Sequence, residues 1–164
     1  MADSTAAVDP NPPPSVGQPE DSPASECVLS LLRTEGLVSS GLQRELAEHG
    51  LTLAGFNVMT ILRGSCGSLC PHQIGERRLI TRGAVTGILD SLERQGLVRR
   101  LPHPEDRRML NIELTAEGHR RLDRILPSHR ASERELLSCL DDSEKETLTQ
   151  LLTKIQSHLT RSAE

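Results

Sequence analysis

A mainly helical fold with one small β-hairpin is what this sequence predicts, and three observations carry it. Apolar residues recur at mixed spacings of three and four through most of the chain, the period of helices with one buried face. A single stretch, Leu110-Asn-Ile-Glu-Leu114, alternates apolar and polar residues as a half-buried strand does. The apolar content is Leu, Ile, Val and Ala, with one Phe and no Trp or Tyr, which suits helix packing and not the aromatic platforms that hold single-stranded nucleic acid. At 164 residues the chain is long enough for one domain with a real core.

Taken in order, residues 1–25 hold six of the ten prolines among Ser, Ala, Gly and acids, and are expected to form a disordered acidic tail. From Cys27 to His49, Val28, Leu31, Val38, Leu42 and Leu46 predict an amphipathic helix that Gly50 terminates. Thr52 is placed to cap a second helix, Leu53 to Leu62, with Phe56, Met59 and Leu62 on its core side. Gly64 and Gly67 break the chain before a short extended piece at Ser68-Leu69. Pro71, whose missing N–H costs nothing at a first helical position, opens a third helix to Arg78, with Cys70 at its N-cap.

Leu79 and Ile80 then make a turn, and Thr81 caps a fourth helix that runs to Gln95 and stops at Gly96. Val85, Ile88, Leu89 and Leu92 form its apolar face, with Arg82, Gly83, Thr86, Gly87 and Asp90 opposite. Strands follow at Leu97–Leu101 and Met109–Leu114, the second turning Leu110, Ile112 and Leu114 inward, with a basic-ended turn from His103 to Arg108 between them. Thr115 caps a fifth helix, Ala116 to Cys139, which Pro127 is expected to kink or split. Ser143-Glu-Lys-Glu146 reads as a capping box opening the last helix, whose stripe is Leu148, Leu151, Leu152, Ile155 and Leu159.

Net charge is −4 at pH 7, but the sum hides an asymmetry. Asp3, Asp9, Glu20, Asp21 and Glu26 face no Lys or Arg within residues 1–26, so the remainder is slightly positive. Between 77 and 108, eight arginines (77, 78, 82, 94, 99, 100, 107, 108) stand against four acids. A short helix, a tight turn, a helix with a small-residue face and a basic hairpin form the arrangement that enters a DNA groove and straddles its backbone. Local charge governs that contact, because salt screens distant charges within about 10 Å. The helices on either side of this stretch exceed what a small reader needs. They are expected to pack within and between chains as a homodimer, placing two reading helices about 34 Å apart on a palindromic site.

These residues resemble the MarR family of bacterial transcription regulators over about 27–158. Asp106-Arg107-Arg108, five residues, then Leu114-Thr115 is similar to the family's wing signature D-x-R-x5-L-T. TRGAVTGILDSLERQGLV and the preceding LCPHQIG are in register with the family's recognition region. The resemblance implies a winged helix-turn-helix at 51–115, flanked by N- and C-terminal helices at 26–50 and 116–160 that form a dimerisation region. It implies a cytoplasmic repressor of double-stranded DNA sites that releases its palindromic operator on sensing a small anionic or phenolic effector, or an oxidant. Where the family often has a cation, this chain has Gly87; with Gly83 it costs roughly 1 kcal/mol per residue against Ala in a helix. The expectation is that the bare backbone approaches the DNA closely there, with Thr81, Arg82 and Thr86 carrying groove or phosphate contacts.

Arg108 is the expected wing-tip residue in the minor groove, where narrow A·T-rich geometry attracts a guanidinium. Asp106 is expected to orient Arg108 or brace the wing, Arg107 to contact phosphate, and Gln73 and His103 to lie at the edge of the contact; Arg99 and Arg100 are expected on the strand's outer face, adding long-range attraction. An effector pocket between reader and flanking helices would include Phe56 and Met59, which core packing also explains. An alternative within the same fold is a thiol-based redox sensor using Cys27, near where peroxide-sensing members carry their reactive cysteine, or Cys70 at a helix N-terminus. The tyrosines of those members are absent here. A second alternative is a winged-helix module that binds another protein. No glycine-rich phosphate loop, H-E-x-x-H or Ser/His/Asp context is present, and Cys66, Cys70 and His72 lack a second ligand pair, so neither an enzyme nor a metal or other cofactor is expected. No apolar run is long enough for a membrane span, so no membrane contact is expected.

Overall fold

The computed structural model describes residues 22–65, 68–78, 82–103 and 109–161. Its elements run α1 (Pro23–Glu48), α2 (Leu53–Gly64), α3 (Pro71–Arg78), α4 (Arg82–Arg94), β1 (Val98–Pro102), β2 (Leu110–Leu114), α5 (Ala116–Leu136) and α6 (Asp142–Arg161). The chain divides into two units, one ending at Gly36 and the other beginning at Leu37. The described part of the first is the N-terminal portion of α1, on which Val28, Leu29 and Leu32 are exposed. Helix α1 starts at Pro23, four residues before Cys27, because Ser22 supplies the cap: its Oγ accepts from the Ala24 N–H at 3.2 Å. Residues 1–21, most of the expected tail, lie outside the described residues.

In the second unit the core is aliphatic apart from Phe56, and each reader element contributes to it: Val58, Met59 and Leu62 from α2, Ile74 from α3, Val85, Leu89 and Leu92 from α4, Ile112 from β2, Leu122 and Ile125 from α5. Helix α1 enters this core through Leu46. Its end is a glycine C-cap: Gly50 has φ 70°, and the Leu51 N–H donates to the Leu46 carbonyl at 3.1 Å. Gln43 fixes the following corner, its amide donating to the Leu51 carbonyl (3.3 Å) while its oxygen accepts from the Leu53 N–H (2.9 Å). Thr52 then caps α2 by accepting from the Gly55 N–H at 3.0 Å.

The hairpin pairs β1 antiparallel to β2, with Val98 opposite Leu114, Arg100 opposite Ile112 and Pro102 opposite Leu110. Ser68-Leu69 is extended as expected, and Leu69 forms a bridge to Ile112, tying the entry of α3 to the sheet. The inward alternation holds at Ile112 and Leu114 but not at Leu110, which is exposed. Leu110 lies at the end of the hairpin farthest from α5, beyond the reach of the core.

Helix α5 is continuous through Pro127, which neither splits it nor shortens it. A mid-helix proline costs about 3 kcal/mol or more; here the ring is exposed, while Ile125 and His129 on either side are buried and hold both turns to the core. The capping box of α6 is set two residues earlier than Ser143: the Glu144 N–H donates to Asp141 Oδ1 and the Asp141 N–H to Glu144 Oε2, both at 2.9 Å. Aspartate caps at least as well as serine, so the Asp141-x-x-Glu144 register starts the helix. No α6 residue is buried, and its Leu148, Leu151, Ile155 and Leu159 stripe is exposed. No described helix is long and apolar enough to cross a membrane.

Candidate nucleic-acid interface

Helix α3 packs on α4 with three residues between them, and α4 packs in turn on β1. Buried Val85, Leu89 and Leu92 anchor one side of α4, so its other side presents exposed Gly83, Ala84, Thr86, Gly87 and Asp90. A Cβ built at Gly83 or Gly87 would meet no atom within 4 Å. Internal packing therefore does not require glycine at either position. Thr81, Asp106, Arg107 and Arg108 lie outside the described residues; Arg82 is the first residue of α4.

The C-terminal end of α4 and the hairpin are joined by one compact corner. Gly96, at φ 69°, ends α4, its N–H donating to the Glu93 carbonyl at 2.8 Å. Thr115 clamps this corner twice, donating through Oγ1 to the Gly96 carbonyl (2.6 Å) and through its N–H to the Leu97 carbonyl (3.0 Å). The same Oγ1 accepts from the Gly118 N–H at 3.0 Å and caps α5. A Cβ at Gly118 would lie 2.1 Å from the Leu97 carbonyl oxygen, so the approach of α5 to β1 requires glycine. Thus Leu114 and Thr115, the last two residues of the wing motif, do structural work: one is buried and the other welds α4, β1 and α5.

Arg99 and Arg100, expected on the strand's outer face, are both paired with acids of the same chain. Arg99 pairs with Glu113, its cross-strand partner. Arg100 reaches back to α4, donating through Nη2 to Asp90 Oδ1 and through Nη1 to Glu93 Oε2, each at 2.6 Å. Its guanidinium is held above its ordinary pKa first by the Asp90 hydrogen bond, with burial acting the other way and the two carboxylate charges adding to the rise. Arg94 Nε also donates to the Asp90 carbonyl at 3.3 Å. The sequence signal was present: two acids one helical turn apart on α4 and a cation on the strand that folds back along it.

Of the other candidate residues, Gln73 is exposed but its side-chain oxygen accepts from the Cys70 N–H at 2.9 Å, completing the N-terminus of α3. His103 closes the hairpin, its N–H donating to the Met109 carbonyl at 3.0 Å. Cys70 is buried and its thiol lies 3.2 Å from Asn111 Oδ1, whereas Cys27 is exposed on α1. Phe56 and Met59 are core residues, and neither lines the described cavities. Sequence reasoning missed the environment of His129, the one buried polar residue described: its Nδ1 donates to Glu45 Oε2 at 2.9 Å and its ring packs, tilted by 51°, against Phe56 with centroids 4.2 Å apart, joining α1, α2 and α5. A histidine at helical spacing carries no mark of that burial.

Two cavities flank the reader. One, about 350 Å³, lies between the α1–α2 corner and α4, lined by Thr52, Gly55, Ala84, Gly87 and Ser91 among others. The other, about 460 Å³, lies between α2 and α5, with Arg63, Arg130 and Arg134 around Leu126 and Pro127. There Arg63 pairs with Asp123 at 3.0 Å.

A helix pair whose second member presents a small-residue face, followed by a β-hairpin, defines a winged helix-turn-helix protein. A family model described as MarR family matches residues 49–109. The chain is 33% identical to the HTH-type transcriptional regulator PecS of Dickeya dadantii over 79% of this chain and 80% of that protein. It is 32% identical to the HTH-type transcriptional repressor YetL of Bacillus subtilis over 80% of each. Its fold matches the crystal structure of a mutant MarR from E. coli complexed with operator DNA, with a TM-score of 0.75, 26% identity, and coverage of 79% of this chain and 93% of that one. The chain belongs to the MarR family and is a DNA-binding transcriptional regulator.

Proposed function

We propose that this protein is a homodimeric repressor that reads a pseudo-palindromic operator and leaves it when a small anionic or phenolic effector binds. The observation that carries the reading is the exposed face of α4, where Gly83 and Gly87 leave open space beside Thr86 on a helix held rigidly from behind. In this reading Thr81, Arg82, Gly83, Thr86 and Gly87 contact the major groove or its phosphates, and Gln73 and His103 border the contact. Arg108 enters the minor groove, Arg107 binds phosphate and Asp106 braces them. Residues 51–115 form the reader, and 26–50 with 116–160 form the dimerisation region.

Dimerisation is supported by α6. A lone 20-residue helix with no buried side chain is marginal in water, and Thr149, Thr153, Ser157 and Thr160 each bond back to the carbonyl four residues earlier, which adds no support. Its leucine stripe, and that of α1, are covered when a second copy packs on them. Repression accords with the name of the B. subtilis relative. Effector binding is supported by the α2–α5 cleft, which Arg63, Arg130 and Arg134 line together with Asp123, Leu126 and Pro127. Fluorescence anisotropy on fragments of the protein's own promoter region, across salt concentrations, tests the reading. A specific complex of two chains per site that weakens steeply with salt is expected, and binding indifferent to sequence or salt refutes it.

A further inference from the structure

Arg100 belongs to the arginine-rich stretch of the reader, yet both arms of its guanidinium are engaged within the protein. Asp90 and Glu93 are three residues apart, so their carboxylates stack on the same side of α4, one turn from each other. The glycine corner at Gly96 folds β1 back along that side, and buried Leu97 and Val98 fix the start of the strand. Arg100 then spans both carboxylates, its side chain only 25% exposed although Asp90 and Glu93 are 52% and 38% exposed. Beyond this contact, toward Pro102 and Leu110, no described residue of the hairpin is buried. This two-armed fork ties the hairpin to α4.

We propose that Arg100 is a positioning residue for DNA recognition: its fork to Asp90 and Glu93 locks the wing to α4 at a fixed angle, so that one binding event seats both in adjacent grooves. The inference rests on the reading of α4 and the wing as the joint DNA contact. The shape of the guanidinium is what the role requires. Its planar fork presents separate N–H groups to two acceptors, whereas a lysine ammonium is a compact, strongly hydrated point charge that cannot span both carboxylates in the same way. A phosphate contact makes the opposite demand, since phosphate accepts either cation.

The test uses the full-length protein with Arg100→Lys and Arg100→Ala. Hydrogen exchange of residues 98–102 and 110–114 is followed without DNA, and anisotropy and hydroxyl-radical footprinting are followed with the promoter fragment. Both variants are expected to exchange faster in the hairpin without DNA. Both are expected to bind roughly 5- to 10-fold more weakly, as the loss of a partly screened bidentate pair implies. Both are also expected to lose protection where the wing lies while keeping it where α4 lies, which general destabilisation would not produce. Unchanged hairpin exchange, or Arg100→Lys binding and protecting like the wild type, overturns the proposal. If Arg100→Ala fails to fold, the lysine variant decides. If the wild type forms no specific complex, the function proposed above fails, while the exchange measurement still decides whether the lock exists.

Discussion

Replacing Gly87 with alanine separates folding from recognition, because the two respond with opposite sign. Gly87 lies in the interior of α4, and a Cβ there meets no atom within 4 Å. No positive φ is involved, so alanine is accepted without strain. Alanine exceeds glycine in helix propensity by about 0.8–1 kcal/mol, and nothing in the packing offsets that gain. For a chain of this size the expected rise in Tm is about 2–4 °C, read by circular dichroism. If the bare backbone at Gly87 lies against bases or phosphates, the same methyl group displaces the helix from the groove. Losing one well-formed contact costs about 1–3 kcal/mol, a weakening of about 5- to 150-fold in anisotropy titrations. A more stable protein that binds its operator more weakly is the expected result. Operator binding equal to or tighter than wild type, with the stability gain present, refutes the close approach and makes Gly87 an exposed position of no consequence.

Four further outcomes are expected. Arg108→Ala weakens operator binding by about 1–3 kcal/mol in anisotropy at physiological salt, and unchanged binding removes it from the wing contact. Gly118→Ala drives a methyl group into the Leu97 carbonyl and destabilises the fold by about 3 kcal/mol in urea unfolding; a loss under about 1 kcal/mol shows that α5 moves away freely. The double variant Leu151→Asp, Ile155→Asp places charge in the exposed α6 stripe, and light scattering is expected to find the mass fallen to the 18.0 kDa of one chain, with operator binding lost. Glu117 has its carboxyl held below the ordinary 4.5, first by the hydrogen bond from Arg120 and then by the charges of Arg120, Arg124 and Arg121. Its contribution is present above that pH and lost as pH falls through the depressed value, so Glu117→Gln lowers stability slightly at neutral pH, leaves strongly acid pH unchanged and removes this part of the fall between them.

Periodicity and punctuation made the element order legible. Gly50 and Gly96 end their helices with positive φ where the sequence placed them, and Thr52 and Thr115 cap as expected. Boundaries shifted where two caps competed: Ser22-Pro23 starts α1 early and Asp141 outranks Ser143. The apolar face of α4 was legible because its spacing is a property of one segment. The partners of Arg99 and Arg100 were not, since a strand's cation can face solvent, DNA or the adjoining helix with the same local pattern. His129 and Glu45, eighty-four positions apart, meet only once α1 and α5 are packed, and no local pattern encodes that meeting. Leu110 shows the converse: its alternation is ideal, but the core ends before reaching it.

The commitment of Arg99 and Arg100 changes the charge economy of recognition. Of the eight arginines between 77 and 108, these two are paired with acids of the same molecule, and Arg94 Nε bonds to a carbonyl of its own helix. The charges of Arg99 and Arg100 are thus balanced within the chain and add little to the attraction for phosphate. Each phosphate neutralised contributes about 0.9 to the slope of log K against log salt, so an arginine held by acids of its own chain removes about that much from the attainable slope. Two chains on one site double the available contacts without adding a residue, and they convert the second half-site into an intramolecular partner. The exposed leucines of α6 and the internal pairing of Arg99 and Arg100 both accord with the dimer proposed above.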